Sequence, residues 1–188
     1  MYTHKNGLLI KKLDETDVGF LLNLREESWH GLHNFVLLNP NDQIKWIDKV
    51  NNSFTDVAFK FYLKEEKIGV GVISDINWIN RSANISGSLS KNKRNLKLGL
   101  SLFEASIDFA FEMYNLHRLS VEVLETNKSS LSLIKNHLSF NHEGTKRKAI
   151  YKCGNYIDSI LFSLLRDEWL QSDRVKKMNG CCNKNGDS

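Results

Sequence analysis

Apolar and polar positions change period repeatedly along this chain, and the changes mark out alternating strands and helices. Leu8 to Leu13 reads as a short strand. Asp14, with Asp17 three residues later, opens a helix to about Glu27 whose apolar face is Val18, Leu21, Leu22 and Leu24. Asn39-Pro40-Asn41-Asp42 starts a second helix, because Pro is tolerated in a first turn and Ile44, Ile47 and Val50 recur at helical spacing. Thr55 to Leu63 and Lys67 to Ile76 form a hairpin around Lys64-Glu65-Glu66, followed by a strand near Ala83 to Leu89. The run from Leu100 to Tyr114 is a central helix. After it come a strand from Arg118 to Leu124, a helix from Lys128 to about His137, and two final strands joined at Cys153-Gly154-Asn155. The Asn/Gly/Ser/Lys-rich segment after about Gln171 has almost nothing apolar to bury and is expected to be disordered.

Composition narrows this picture without deciding it. With 188 residues, of which 41% are hydrophobic and 10% aromatic, the chain can fill one core and hardly two, so one domain is expected. No apolar run approaches the roughly 18 residues of a membrane span, and the first residues lack a signal-peptide core, so a cytoplasmic protein is expected. The net charge of +4 is mild and partly concentrated in Lys146-Arg147-Lys148, which does not require nucleic-acid binding. Cys153, Cys181 and Cys182 have neither zinc spacing nor a disulfide framework, so free thiols and no metal are expected.

The segment with the most chemistry is Lys91 to Leu100, a basic, Gly-containing loop at the start of a helix. Free N–H groups, the positive helix end and Arg94 or Lys97 can converge there on one anion, and Gly99 permits close approach of a ligand to the backbone. A solvated basic loop fits the same residues. What surrounds the loop bears on the choice. The order Arg-x-x-x-x-Gly, helix, "NLHRLSVEV", Asn127, helix, "FNHEGTKRKAIYKCGNYIDSILFSLLRDEW" resembles the GNAT superfamily of acetyl-CoA-dependent N-acetyltransferases. It is similar in particular to the branch that contains ribosomal-protein N-terminal, spermidine and nucleotide-linked amino-sugar acetyltransferases. The resemblance runs from Leu8 to Trp169, which gives a domain over residues 8–170 and a tail over 171–188.

The resemblance implies an α/β (α+β) GNAT fold: a mixed, mostly antiparallel sheet of about seven strands flanked by helices, with two splayed strands forming the acetyl-CoA cleft. It implies acetyl-CoA as co-substrate, a primary amine (small amine, amino sugar or protein N-terminus) as acceptor, direct transfer without a metal, and compatibility with a homodimer. Leu89 and Ser90 match the strand edge that takes the cofactor arm, Arg94, Asn95, Leu96, Lys97, Leu98, Gly99 and Leu100 match the phosphate loop, and Asn127 matches the residue that anchors the next helix against that arm. Several positions depart from the family pattern: Lys97 replaces a usual Gly, Asn84 a usual base Glu, Ile134 a usual acid Tyr and Gln43 a usual His, and Asn136-His137-Leu138-Ser139-Phe140 stands one residue longer than a usual Lys-Leu-Gly-Phe. Ser130, one turn past Asn127, and the strand carboxylates Asp75 and Glu122 are the replacement candidates, while His30 and His33 on the connection bordering the acceptor pocket are candidate substrate contacts. Two alternatives follow from the same residues. A non-catalytic acyl-CoA-binding module fits the missing acid and base, and a nucleic-acid-associated modifier fits the basic cluster.

Overall fold

The computed structural model describes residues 2–33 and 37–172. The expected tail therefore lies outside the described residues from position 173 onward, Cys181 and Cys182 included, as do positions 34–36 of the histidine-bearing connection.

Eight strands form one sheet in the order β1-β2-β3-β4-β5-β6-β8-β7. They are β1 (Tyr2–Thr3), β2 (Leu8–Lys12), β3 (Val57–Leu63), β4 (Glu66–Asn77), β5 (Ser82–Leu89), β6 (Arg118–Leu124), β7 (Asn141–Lys152) and β8 (Asn155–Leu165). All neighbours pair antiparallel except β5 and β6, which run parallel. The sheet has one strand more than expected, because Tyr2–Thr3 pairs with Leu9–Ile10. Two residues carry no readable period. They are held by tertiary contacts instead: His4 Nε2 and Lys5 Nζ reach the buried Asp108 carboxylate at 2.8 and 2.9 Å, and Asn6 Nδ2 donates to the Ser101 carbonyl.

Two helices cover one face, α1 (Val18–Ser28) and α2 (Pro40–Asn51). Their starts are built as the sequence indicates. Asp14 and Asn39 each accept an N–H of the following turn while Asp17 and Asp42 reach back to the cap N–H, reciprocal bonds that satisfy donors a helix cannot pair internally. Leu13, Leu21, Ile47, Val50 and Ala58 pack together under these helices. The opposite face carries α3 (Leu96–Asp108), which continues through a π turn over Phe109–Met113, and α4 (Lys128–Ser132), continued by a second π turn over Leu133–His137. Under them lies the larger core, with Phe61, Ile68, Ile73, Leu102, Ile107 and Leu119 almost fully buried. A last helix, α5 (Arg166–Gln171), buries Trp169, whose indole N–H donates to Asp108 at 2.6 Å.

The parallel pair positions everything that follows. β5 and β6 are in register only at Ser82↔Arg118, Ala83↔Leu119 and Asn84↔Ser120. β5 stays paired with β4 out to Gly69↔Leu89, and β6 stays paired with β8 out to Leu124↔Ser159. The two strands therefore separate beyond Asn84 and Ser120, leaving a wedge in the middle of the sheet.

Candidate active site

A cleft of about 1170 Å³ runs through that wedge, from α3 and α4 on one face to the α1–α2 connection and the β7–β8 hairpin end on the other. Backbone polar groups on the β5 side of the wedge, Ile85 to Leu89, have no partner strand in β6. Unpaired backbone in a cleft offers an extended amide-bearing ligand the ladder bonds that the sheet withholds.

At one end of the cleft α3 begins. Asn95 is its N-cap, extended at φ −148°, ψ 162°, and its side chain accepts the Leu98 N–H at 2.9 Å. Its carbonyl takes the Gly99 N–H at 3.0 Å. Among the described residues no acceptor pairs with the amides of Leu96 and Lys97, so these are the first-turn donors left for an anion, at the positive end of the helix. Gly99 faces α4, where an added Cβ would lie 3.7 Å from Leu133 Cδ2, an ordinary contact. A methyl fits there. A carboxylate would stand in the seam between α3 and α4.

Of the predicted cofactor residues, Leu89, Arg94, Asn95, Leu96, Gly99 and Asn127 line the cleft, whereas Ser90, Lys97, Leu98 and Leu100 do not. Ser90 ties the strand end to Ile68, its hydroxyl and amide both donating to that carbonyl. Arg94 has a different task from the one expected. Its guanidinium donates to the Leu89 and Glu27 carbonyls and to Ser28 Oγ, at 3.0, 2.9 and 2.8 Å. With so many short donor bonds made, the side chain pins the loop before α3 to the end of α1. Glu27 completes the brace by accepting the Lys91 N–H at 2.7 Å.

Asn127 does two things. Its Oδ1 caps α4 by accepting the Ser130 N–H at 3.2 Å, a cap contributing about 1 kcal/mol. Its Nδ2 sits where a Cβ on Gly31 would come within 2.8 Å, so the glycine lets the α1–α2 connection close against this helix without displacing that amide. Ser130 lines the cleft on α4.

The connection itself is held from below by Lys152, which the sequence did not mark. Its ammonium donates to the carbonyls of Trp29, His30 and Leu32, each at 2.7 Å, and stands 5.8 Å from the Trp29 ring centroid. Burial lowers its pKa, partly opposed by neighbouring Cys153. His30 stacks on Trp29 with ring centroids 3.7 Å apart and lines the cleft.

Like Glu122, His33 does not itself line the cleft. Its Nε2 is 3.1 Å from Ser159 Oγ and 3.7 Å from Glu122 Oε1. Desolvation lowers its pKa, with Lys146 and Lys152 pushing the same way and Glu122 opposing them. The ring is neutral near pH 7 and can accept a proton. Burial resists ionisation of Glu122, but bonds from Lys146, at 2.8 Å, and from Ser159, together with the charge of Lys146 and, once it is protonated in acid, that of His33, outweigh it and hold the carboxyl below its usual range. Glu122 and His33 are thus brought together although the sequence sets them 89 positions apart (122 minus 33).

Asp75 stands elsewhere. It sits at an irregularity of β4 with φ +54°, exposed, accepting Asn84 Nδ2 at 2.9 Å, and takes no part in lining the cleft. Ile134 is buried at 1% exposure, so nothing at that position reaches a reacting atom. Among the described residues no group of His, Cys, Asp and Glu is arranged to hold a metal, and no helix is long and apolar enough to cross a membrane.

Comparisons with known proteins agree with the geometry. A family model described as acetyltransferase (GNAT) domain matches residues 40–161. The chain is 31% identical over 130 residues to the uncharacterized N-acetyltransferase p20 of Bacillus licheniformis, covering 68% of this chain and 72% of that one. It is 21% identical over 168 residues to the spermidine N(1)-acetyltransferase of Vibrio cholerae, covering 87% and 95%. A crystal structure of the spermidine N-acetyltransferase from Vibrio cholerae in complex with CoA and spermine superposes with a TM-score of 0.82 at 20% identity, over 89% of this chain and all of that one, a likeness of fold.

Proposed function

The chain belongs to the GNAT acetyltransferase family, and from that premise we propose that its cleft holds acetyl-CoA and an amine together and passes the acetyl group directly from sulfur to nitrogen. The observation that carries this reading is the parting of β5 from β6 beside the start of α3, which offers an anion cradle and an extended backbone track in one cleft.

In this reading the pyrophosphate lies on the Leu96 and Lys97 amides, and the pantetheine arm follows Gly87 to Leu89 between α3 and α4. Gly99, Leu133 and Ser130 flank the arm. The amine approaches from the α1–α2 connection and attacks the thioester carbonyl carbon. A C–N bond forms, the C–S bond breaks, and the thiolate leaves. Backbone N–H groups of the unpaired stretch of β5 face the developing oxyanion. Attack needs a neutral amine, and an alkylammonium with a pKa of about 10 must shed a proton first.

His33, neutral and oriented by Glu122 and Ser159, is the proton acceptor on the amine side, directly or through water. Ser130, which lines the cleft on α4, is the hydroxyl this reading assigns to the departing thiolate. No single group replaces the Glu and Tyr of relatives, and orientation carries much of the rate. Acceptors of this kind include small amines, amino sugars, protein N-termini and spermidine, the amine named for the Vibrio cholerae relative. Initial rates with both substrates varied test direct transfer. Intersecting double-reciprocal lines are expected, and parallel lines, the mark of an acetyl-enzyme, would refute it.

A further inference from the structure

The acceptor side of the cleft carries a charge pattern that separates these amines. The connection from Trp29 to Asn39 contains no carboxylate, and neither does the β7–β8 hairpin end from Gly144 to Ile157, which contains Lys146, Arg147, Lys148 and Lys152. Among the residues lining the cleft, Glu27 is the one carboxylate against Arg94, Lys128 and Lys152. Glu27 is already used, accepting the Lys91 N–H and standing 4.0 Å from Arg94. Glu122, the remaining acid beside the acceptor mouth, is paired with Lys146. The next two, Glu125 and Asp158, are tied to backbone amides: Glu125 accepts the Asp158 N–H and Asp158 the Lys148 N–H. Among the described residues no carboxylate lies in ion-pair distance of Lys152. A polyamine carries several positive charges and needs carboxylates along its length, each desolvated cation otherwise being left without a counter-charge.

Resting on the transferase reading above, we propose that the acceptor is an amine bearing an anionic group, carboxylate or phosphate, and that the exposed hairpin cations Arg147 and Lys148, which unlike Lys146 have no carboxylate in ion-pair distance among the described residues, attract that group. The amine end then meets His33 while the anion faces the hairpin.

Matched acceptors test this in the intact protein with acetyl-CoA: ethanolamine against phosphoethanolamine, butylamine against γ-aminobutyrate, and spermidine. Thiol release gives kcat/KM for each. One or both anionic members should exceed the neutral partner by about tenfold or more at low ionic strength, and the winning pair tells phosphate from carboxylate. Salt should shrink that ratio, because screening weakens exposed attractions. For spermidine salt should raise the rate. Arg147→Glu, at an exposed site, should cut the anionic-to-neutral ratio severalfold with an unchanged melting temperature, and taking a ratio cancels any effect on the chemistry itself. Spermidine as the best acceptor, or an anionic-to-neutral ratio near one at every salt concentration, would overturn the charge assignment and leave the transferase reading standing. Release of no thiol from any member would overturn both.

Discussion

The two ends of the cleft are built by different means. At the cofactor end a few consecutive residues suffice: Asn95 caps, Leu96 and Lys97 offer amides, and Gly99 keeps the seam open. At the acceptor end nothing is local. Lys152 reaches carbonyls 120 to 123 positions away, and His33 meets Ser159 across 126. A site made of backbone donors can be written in a short motif, whereas a site made of converging side chains exists only once the sheet has formed.

The largest effect is expected from Gly99→Asp. A carboxylate in the α3–α4 seam beside an anion site should weaken CoA binding by at least about a hundredfold while leaving the melting temperature within a few degrees, since the Cβ itself is tolerated. Calorimetric titration reads this. Unchanged affinity would erase the distinction between the two ends.

Lys152→Met is next and probes the other end alone. Removing the ammonium frees three carbonyls of the connection. KM for the amine should rise about tenfold or more while CoA affinity stays within twofold, because a misplaced rim costs positioning rather than cofactor contacts. A parallel loss of CoA affinity would show that the ends are not separable.

Smaller effects are expected from the proton-handling residues. His33→Ala, Glu122→Gln and Ser130→Ala should each lower kcat by less than about a hundredfold. The pH profile carries the sign. The His33 pKa is lowered, so the wild type loses its base only as pH falls below about 6.5, and that acid limb should vanish in His33→Ala. At higher pH the rate should climb with the neutral fraction of the amine in every variant. The fold does not confuse this reading. Asp14, hydrogen-bonded by Lys60 and Thr16, titrates at about 2 instead of its usual 3.8, so the stability it supplies is present above pH 3.8 and is lost only on acidification toward 2.

Asp75→Asn should change kcat by less than about twofold, because the side chain meets Asn84 outside the cleft. A loss of a hundredfold would place catalysis on β4 and invert the account of the acceptor end.

Legibility in the sequence follows the same division. Strand and helix order was readable because the caps at Asp14, Asn39, Asn95 and Asn127 and the apolar periods are properties of neighbours. The helix start at Leu96, four residues before the apolar run at Leu100, is signalled by its Asn cap. β1 was not readable, since its two residues are held by pairing with β2 and by the Asp108 network. Leu89, Gly99, Asn127 and Ser130 reach the cleft because chain proximity to a helix start fixes where they go. Arg94 was readable as a cation in the loop but not as a brace, a role that depends on α1 arriving beside it. Asp75 lies outside the cleft lining, at a place where the register of β4 slips between Ser74 and Asn77 and Asn84 takes the carboxylate, a local irregularity that sequence hides. Lys152 follows an aromatic residue in a hairpin and carries no motif, so only the folded connection gives it a meaning.

The most direct test of the account is thiol release from acetyl-CoA, with N-acetylated product identified by mass, across the matched amine panel in wild type and Gly99→Asp. The account predicts equimolar free CoA and acetylated amine from the wild type, and no turnover from a natively melting variant. Tight CoA binding by the wild type without thiol release to any amine would contradict it.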